Sequence, residues 1–281
     1  MKTILVPTDF SKNAYSALYY ATQIFEKETC NFIIIHSFEK QVANLTSRID
    51  IAKTEAVVDE LYDTTEASCE VVKEQIIKDT NNKNHTYSII STTLTLTRAI
   101  NKLIVKESAD YVVMGSKGST GALETLMGSN TLSMIQKIKN AALLIIPNQP
   151  VRPTKQIAFA TGFKRPYKQE ELKPLVAISS INDAEIKVVH VNKQEKMTEA
   201  QLANSQGLFE LLETEKTENT WLLDNGDTYD TINSYINESE IDLLAMILYK
   251  HTAIVRLFRE ATVKNIAKQT AIPFLILPKV D

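Results

Sequence analysis

Residues 2–10 read KTILVPTDF, and residues 155–163 read KQIAFATGF. Each is a short apolar run with β-branched residues that ends in turn-forming chemistry, the pattern of a strand leading into a loop. The likeness continues in order along the chain. Ile33–His36 (IIIH) returns as Ile186–His190 (IKVVH), Asp110–Met114 (DYVVM) as Asp242–Met246 (DLLAM), and Ala141–Pro147 (AALLIIP) as Ile272–Pro278 (IPFLILP). Four echoes in one order and at similar intervals point to a tandem duplication, and so to two domains.

Between the echoes of the first half, short apolar runs alternate with longer amphipathic ones, the pattern of a parallel sheet with crossover helices. Lys2–Val6 reads as a first strand. Ser11 is placed as an N-cap, and Ala14, Leu18, Ala21 and Phe25 follow at helical spacing, which predicts a helix to about Lys27. Phe32–His36 is continuously apolar, as in a strand covered on both faces. A helical tract over residues 45–78 is expected to break near Thr64–Ser68, where good helix formers thin out. Tyr87–Thr92 then reads as a strand, Leu96–Glu107 as a helix, Tyr111–Met114 as a buried strand, residues 126–139 as a helix and Ala142–Ile146 as the closing strand. The expected fold class is α/β: two tandem domains, each a five-stranded parallel sheet with helices on both faces. The expected boundaries are 1–147 and 155–281. Residues 148–154 (NQPVRPT), with two prolines and no apolar periodicity, form the linker.

Composition narrows the function classes. The chain has 281 residues, 44% hydrophobic and 23% charged, with a formal net charge of −3, ordinary values for a globular protein. No concentrated basic face is indicated, so nucleic acid is not an expected partner. Cys30 and Cys69 have no paired spacing and no nearby histidines, which argues against a disulfide framework or a zinc site and for a reducing, cytoplasmic setting. No apolar run reaches the roughly 18 residues of a membrane span, and the N-terminal run is too short for a signal-peptide core.

Glycine use is uneven. Of seven glycines, Gly115, Gly118, Gly121 and Gly128 fall within residues 112–129, VVMGSKGSTGALETLMGS. This window follows a strand and leads to a helix, the place where open α/β sheets bind ligands. Glycine there accepts positive φ and lets backbone N–H groups approach a ligand, and a helix N-terminus adds partial positive charge, so the window suits phosphate. The spacing is neither that of a Walker loop nor the dinucleotide fingerprint. Gly115, two residues, Gly118, nine residues, Gly128-Ser129 instead resembles the nucleotide signature of the universal stress protein family, in its tandem two-domain form. The opening KTILVPTDFS, the strand ending at His36 and the closing ALLIIP extend the resemblance over the first half and, more weakly, the second.

The resemblance implies Rossmann-like domains of the adenine nucleotide alpha hydrolase type, binding ATP, with Mg2+ as its companion ion, in the N-terminal domain. It places Asp9 beside adenine and ribose, with Pro7 and Thr8 shaping the pocket. Ser37, after the strand-ending histidine, takes the adenine-contacting position where the family usually has valine. Met114, Gly115, Lys117, Gly118, Gly128, Ser129 and Asn130 lie along the ribose and phosphates, and Asn130 also stands where valine is common. In the second half Gly162 replaces Asp9, Ile247-Leu248-Tyr249-Lys250 replaces the first glycine pair, and Arg259-Glu260 stands near the Gly-Ser position. Bulk and negative charge there oppose phosphate, so one site per chain is expected.

Simpler readings stand beside these. The glycines also suit a tight strand-to-helix turn, Asp9 also suits a helix N-terminus, and His36 and His190 read as structural histidines. Lys117 reads equally as a phosphate partner or a solvated lysine. No nucleophile, paired-carboxylate or H-E-x-x-H arrangement appears, so no catalytic residue and no metal site is assigned. The expected function is a nucleotide-gated stress-response switch rather than an enzyme, with any hydrolysis slow and incidental. Its domains are expected to pair through Leu143–Ile146 and Phe274–Leu277 as a pseudo-dimer, with a homodimer and an unidentified protein partner as further assemblies. The alternatives are a nucleotide-independent interaction protein, which the Ser37 and Asn130 departures favour, and a nucleotide hydrolase or transferase.

Overall fold

Strand β1 (Lys2–Pro7) runs parallel to β2 (Cys30–Ser37) on one side and to β4 (Tyr111–Gly115) on the other, and β2 is parallel to β3 (His85–Thr92). The order β3-β2-β1-β4 therefore reverses direction of growth at β1. Ile4 and Leu5 point to opposite faces of β1, and both are fully buried, which requires cover on each face. That cover comes from α1 (Lys12–Ile24) and α4 (Leu96–Lys106), while α3 (Ile51–Thr80) packs on β2, β3 and α1, and α5 (Ser129–Lys137) packs on α4. A short α2 (Glu39–Thr46) precedes α3. This computed structural model describes the chain apart from residues 47–50, 118–126, 148–151, 193–196, 224–227, 248–271 and 281.

Local chemistry explains the elements. Ser11 Oγ accepts from the Ala14 N–H at 3.2 Å and starts α1, whose buried stripe Ala14, Ala17, Leu18, Ala21 and Ile24 faces the sheet. Burying each large apolar side chain, such as Ile34 or Ile35, contributes roughly 1.5–3 kcal/mol. The predicted break in the 45–78 tract is absent, because α3 is continuous through Thr64–Ser68. There Thr64 Oγ1 donates to the Glu60 carbonyl at 2.8 Å and Ser68 Oγ to the Thr64 carbonyl at 2.9 Å, so these hydroxyls turn back onto the helix.

The chain forms two compact units, Met1–Ala141 and Ala142–Asp281. The division falls before the ALLII strand, which places β5 (Ala142–Ile146) in the second unit. Its partner explains this: β10 (Phe274–Leu277) pairs with it antiparallel, Phe274 opposite Ile145 and Ile276 opposite Leu143. The two strands expected to pair do so, and each removes the other's exposed edge. The rest of the second unit is parallel: β10 pairs with β9 (Leu243–Ile247), β9 with β6 (Gln156–Ala160), β6 with β7 (Glu185–Asn192), and β7 with β8 (Thr217–Leu223). Helices α6 (Gln169–Asn182), α7 (Glu199–Leu211) and α8 (Thr228–Glu238) belong to this unit.

Sequence echoes are also hydrogen-bond echoes. Asp110 Oδ2 accepts from the Thr3 N–H at 2.8 Å, and Asp242 Oδ2 from the Gln156 N–H at 3.0 Å. The Thr8 N–H donates to the Ile35 carbonyl at 2.8 Å, and the Thr161 N–H to the Val189 carbonyl at 2.9 Å. Phe10 and Phe163 both adopt left-handed backbone, at φ 63° and 51°, uncommon for a bulky side chain.

Candidate functional site

In the first unit the carboxyl ends of β1, β2 and β4 lie along one sheet edge, and the order reverses at β1, so the loops after β1 and β4 flank the switch point at which open α/β folds place their ligand crevice. The predicted residues Pro7, Thr8, Asp9, Ser37, Met114, Gly115 and Lys117 lie on those strand ends and loops, while Gly128, Ser129 and Asn130 lie at the start of α5. Gly118, with Gly121, falls outside the described residues.

The loop after β1 is built on its own side chains. Asp9 Oδ1 accepts from the Ser11 N–H at 3.1 Å and from Ser11 Oγ at 2.6 Å, and the same Oγ accepts from α1. Asp9 thus supports the helix start, and its structural role is concrete. The Phe10 N–H donates to Thr8 Oγ1 at 3.0 Å, and the Phe10 ring stacks on His36 at 4.5 Å, yet Phe10 stays 39% exposed. Pro7 and Met114 are buried walls. Ser37 Oγ donates to the Leu94 carbonyl at 2.6 Å, so this hydroxyl holds the loop before α4.

The turn after β4 is tied down one carbonyl at a time. Gly115 O accepts from Thr131 Oγ1 at 3.0 Å, Ser116 O from the Gly128 N–H at 2.8 Å, and Lys117 O from Asn13 Nδ2 at 2.6 Å. In a trans peptide the N–H points opposite the C=O, so the Ser116 and Lys117 amides are turned away from Thr131 and Gly128 respectively. Ser129 and Asn130 are exposed at the first positions of α5, where helix amides and partial positive charge converge. Such a turn beside a helix N-terminus is suited to an anion.

Two glycines have distinct reasons. A Cβ on Gly115 would lie 2.6 Å from Asn13 Nδ2 and 2.9 Å from its Cγ, so any side chain there would have to displace the Asn13 amide. Gly128 caps α5 with φ −69° and ψ 155°, a conformation open to any residue, so its backbone does not require glycine. The duplicate's lack of glycine therefore does not by itself make every glycine in the window a ligand residue: Gly115 also serves the fold. Asn13, Thr131 and Phe10 were missed by sequence reasoning. A buried polar residue at the second position of α1 and a threonine just after Gly-Ser are weak signals, whose meaning comes from contacts more than a hundred and about sixteen residues away along the chain.

The second unit closes the corresponding loop. Phe163 is fully buried, Gln201 Nε2 donates to the Gly162 carbonyl at 3.1 Å and Asn204 Nδ2 to the Phe163 carbonyl at 2.9 Å, so α7 covers it. Thr161 and Tyr167 join their hydroxyls across it. A Cβ on Gly162 would meet only ordinary contacts with Lys164. The replacements Leu248, Tyr249, Lys250, Arg259 and Glu260 lie outside the described residues, and Ile247 ends β9.

Among the described residues, no three His, Cys, Asp or Glu side chains form a metal-binding group, and no helix is long and apolar enough to cross a membrane.

Comparisons with known proteins agree on the architecture. A universal stress protein from Archaeoglobus fulgidus is similar over 99% of this chain and 97% of its own, at 18% identity and a TM-score of 0.65. A putative universal stress protein from Pseudomonas aeruginosa is similar over 99% and 93%, at 10% identity and 0.54. The cytoplasmic domain of a prokaryotic cation chloride cotransporter is similar over 99% and 95%, at 11% identity and 0.59. At these identities the likeness establishes the fold alone. No curated protein matches the chain. The sequence pattern of the universal stress protein family matches residues 1–145, more than half of the chain, and with the switch point and its glycine turn in place we conclude that this protein belongs to the universal stress protein family.

Proposed function

We propose that the first unit binds ATP or a related adenine nucleotide, and that the protein acts as a stress-response switch. The observation that carries this reading is the turn Gly115-Ser116-Lys117, whose three carbonyls are held by Thr131, Gly128 and Asn13 beside the exposed start of α5. In this reading the turn and α5 cradle the phosphates, Lys117, Ser129 and Asn130 border them, and the loop Thr8–Phe10 borders the nucleoside. Mg2+ would come with the phosphates and neutralise part of their charge, with no ligand assigned from this chain. Occupancy changes the surface offered to a protein partner, which is how binding acts as a signal. The second half serves as a structural partner, a reading supported by the cover that Gln201, Asn204 and Tyr167 give its loop. No residue is given a catalytic role.

The test is thermal unfolding with and without millimolar ATP, together with mass spectrometry of nucleotide carried through purification. Binding to the folded state alone raises stability by about 2.7 kcal/mol at a ligand concentration a hundredfold above Kd. An unfolding temperature unchanged by ATP, with no co-purified nucleotide, overturns the reading in favour of a nucleotide-independent interaction protein.

A further inference from the structure

We propose that Asn13 is a positioning residue that sets the affinity of the first-unit crevice for the phosphate part of its ligand; this inference rests on the nucleotide reading above. Asn13 lies on α1, the helix that follows β1, and its amide reaches across to the turn after β4, joining the two chain segments that border the crevice. It is 94% buried, with 6% exposed, so its carboxamide is held among packed atoms. Nδ2 donates to the Lys117 carbonyl at 2.6 Å, the last of the three carbonyls held in the turn. The pairing is sterically matched: Gly115 carries no Cβ at the one place where a Cβ would meet that same Nδ2, at 2.6 Å.

A side chain chosen for packing alone does not explain this arrangement. Asn13 Oδ1 is buried and has no hydrogen-bond partner among the described residues, a cost that an apolar side chain of the same size would avoid. Exchanging the two amide atoms would set oxygen against the Lys117 carbonyl oxygen, so the orientation is fixed by chemistry. What the amide provides in return is the direction of the Lys117 carbonyl. With that carbonyl drawn toward α1, the Lys117 end of the turn is fixed relative to the helix that follows β1; without it, the turn loses one of its three held carbonyls, and a ligand must supply more of the ordering on binding.

The experiment measures the affinities of ATP and adenosine by calorimetry for the native chain, Asn13→Leu and Asn13→Ala. Leucine matches the volume without a donor, and alanine only removes atoms, so a folding failure of one variant leaves the other to decide. We expect the folded variant to lose about tenfold in ATP affinity, the worth of one well-placed hydrogen bond, and to hold adenosine affinity within about twofold. An unchanged ATP-to-adenosine ratio, whether both affinities hold or both fall, overturns the role of Asn13 while leaving the nucleotide reading intact. Failure of the native chain to bind either ligand overturns both.

Discussion

The Nδ1 atom of His36 lies 2.8 Å from the carbonyl oxygen of Thr8, and because a carbonyl only accepts, the ring carries its proton there. His190 stands in the same relation to Thr161 at 2.9 Å. Each histidine also carries a phenylalanine on its face, Phe10 at 4.5 Å and Phe163 at 4.9 Å. Both histidines are thus supports for the loop that follows the first strand of their repeat. Replacing either by alanine removes a hydrogen bond and a ring contact, together about 2 kcal/mol, and lowers the urea midpoint. A change below a few tenths of a kcal/mol in both variants would show that the loop holds itself.

The two described glycines of the turn should part company. Gly115→Ala forces a methyl group into the Asn13 amide and is expected to cost about 1–3 kcal/mol of stability. Gly128→Ser puts a preferred N-cap residue at the start of α5 in a backbone conformation open to it, with an effect on stability of only a few tenths of a kcal/mol. If α5 receives a phosphate, Gly128→Ser nonetheless weakens ATP binding while the fold holds. Equal destabilisation by the two substitutions, read from chemical unfolding, would contradict the separation of roles.

That separation marks where the sequence stops being legible. Buried strands such as Phe32–His36 announce themselves because continuous apolar character has few other uses in an α/β fold, and the four echoes set the order of elements. The meaning of Gly115 depends on Asn13, a partner on another element, and no local pattern encodes that approach. The continuity of α3 at Thr64–Ser68 was hidden for a related reason: propensity counts residue types, whereas here the hydroxyls satisfy the helix's own carbonyls. The membership of β5 in the second unit depends on β10, whose pairing is likewise long-range.

His85 gives the fold a pH dependence. Its Nε2 donates to the Phe25 carbonyl at 3.1 Å, and its buried Nδ1 has no partner among the described residues. Burial lowers its pKa below the ordinary 6.5, against the opposing effect of the Phe25 carbonyl. Between the folded and unfolded values the unfolded chain therefore binds a proton that the folded chain does not. This contribution to stability is whole above about pH 6.5 and is lost as pH falls below it. His85→Leu should flatten that part of the curve, and an unaltered slope between pH 7 and 5 would remove His85 as its source.

The two thiols should be silent in the native state. Cys30 and Cys69 are fully buried, and burial pushes their pKa values up to about 12 and about 11. Thiolate is the reactive form, so an aromatic disulfide reagent at pH 8 should titrate no more than a trace until denaturant is added, and then two groups. Rapid labelling of the folded chain would show local opening around β2 or α3.

Among the described residues, Glu171 should be a costly carboxylate to remove. Its side chain is fully buried at the start of α6, where Arg165 Nη2 lies 2.6 Å from Oε1, the Val280 N–H donates to Oε1 at 2.9 Å and the Lys168 N–H to Oε2 at 3.2 Å. Burial alone would raise its pKa, but the Arg165 hydrogen bond and the two backbone donors outweigh burial and lower it below the ordinary 4.5. The unfolded chain therefore takes up a proton first on acidification, so the contribution is whole above that value and is lost as pH falls through the lower, folded one. Glu171→Gln keeps the shape but loses the charge opposite Arg165, at an expected cost of about 2 kcal/mol at pH 7 that shrinks toward pH 3. It should also loosen the segment around Val280, read as faster amide exchange there. A variant as stable as the native chain at pH 7, with Val280 equally protected, would mean that Arg165 and the chain terminus are held by other contacts.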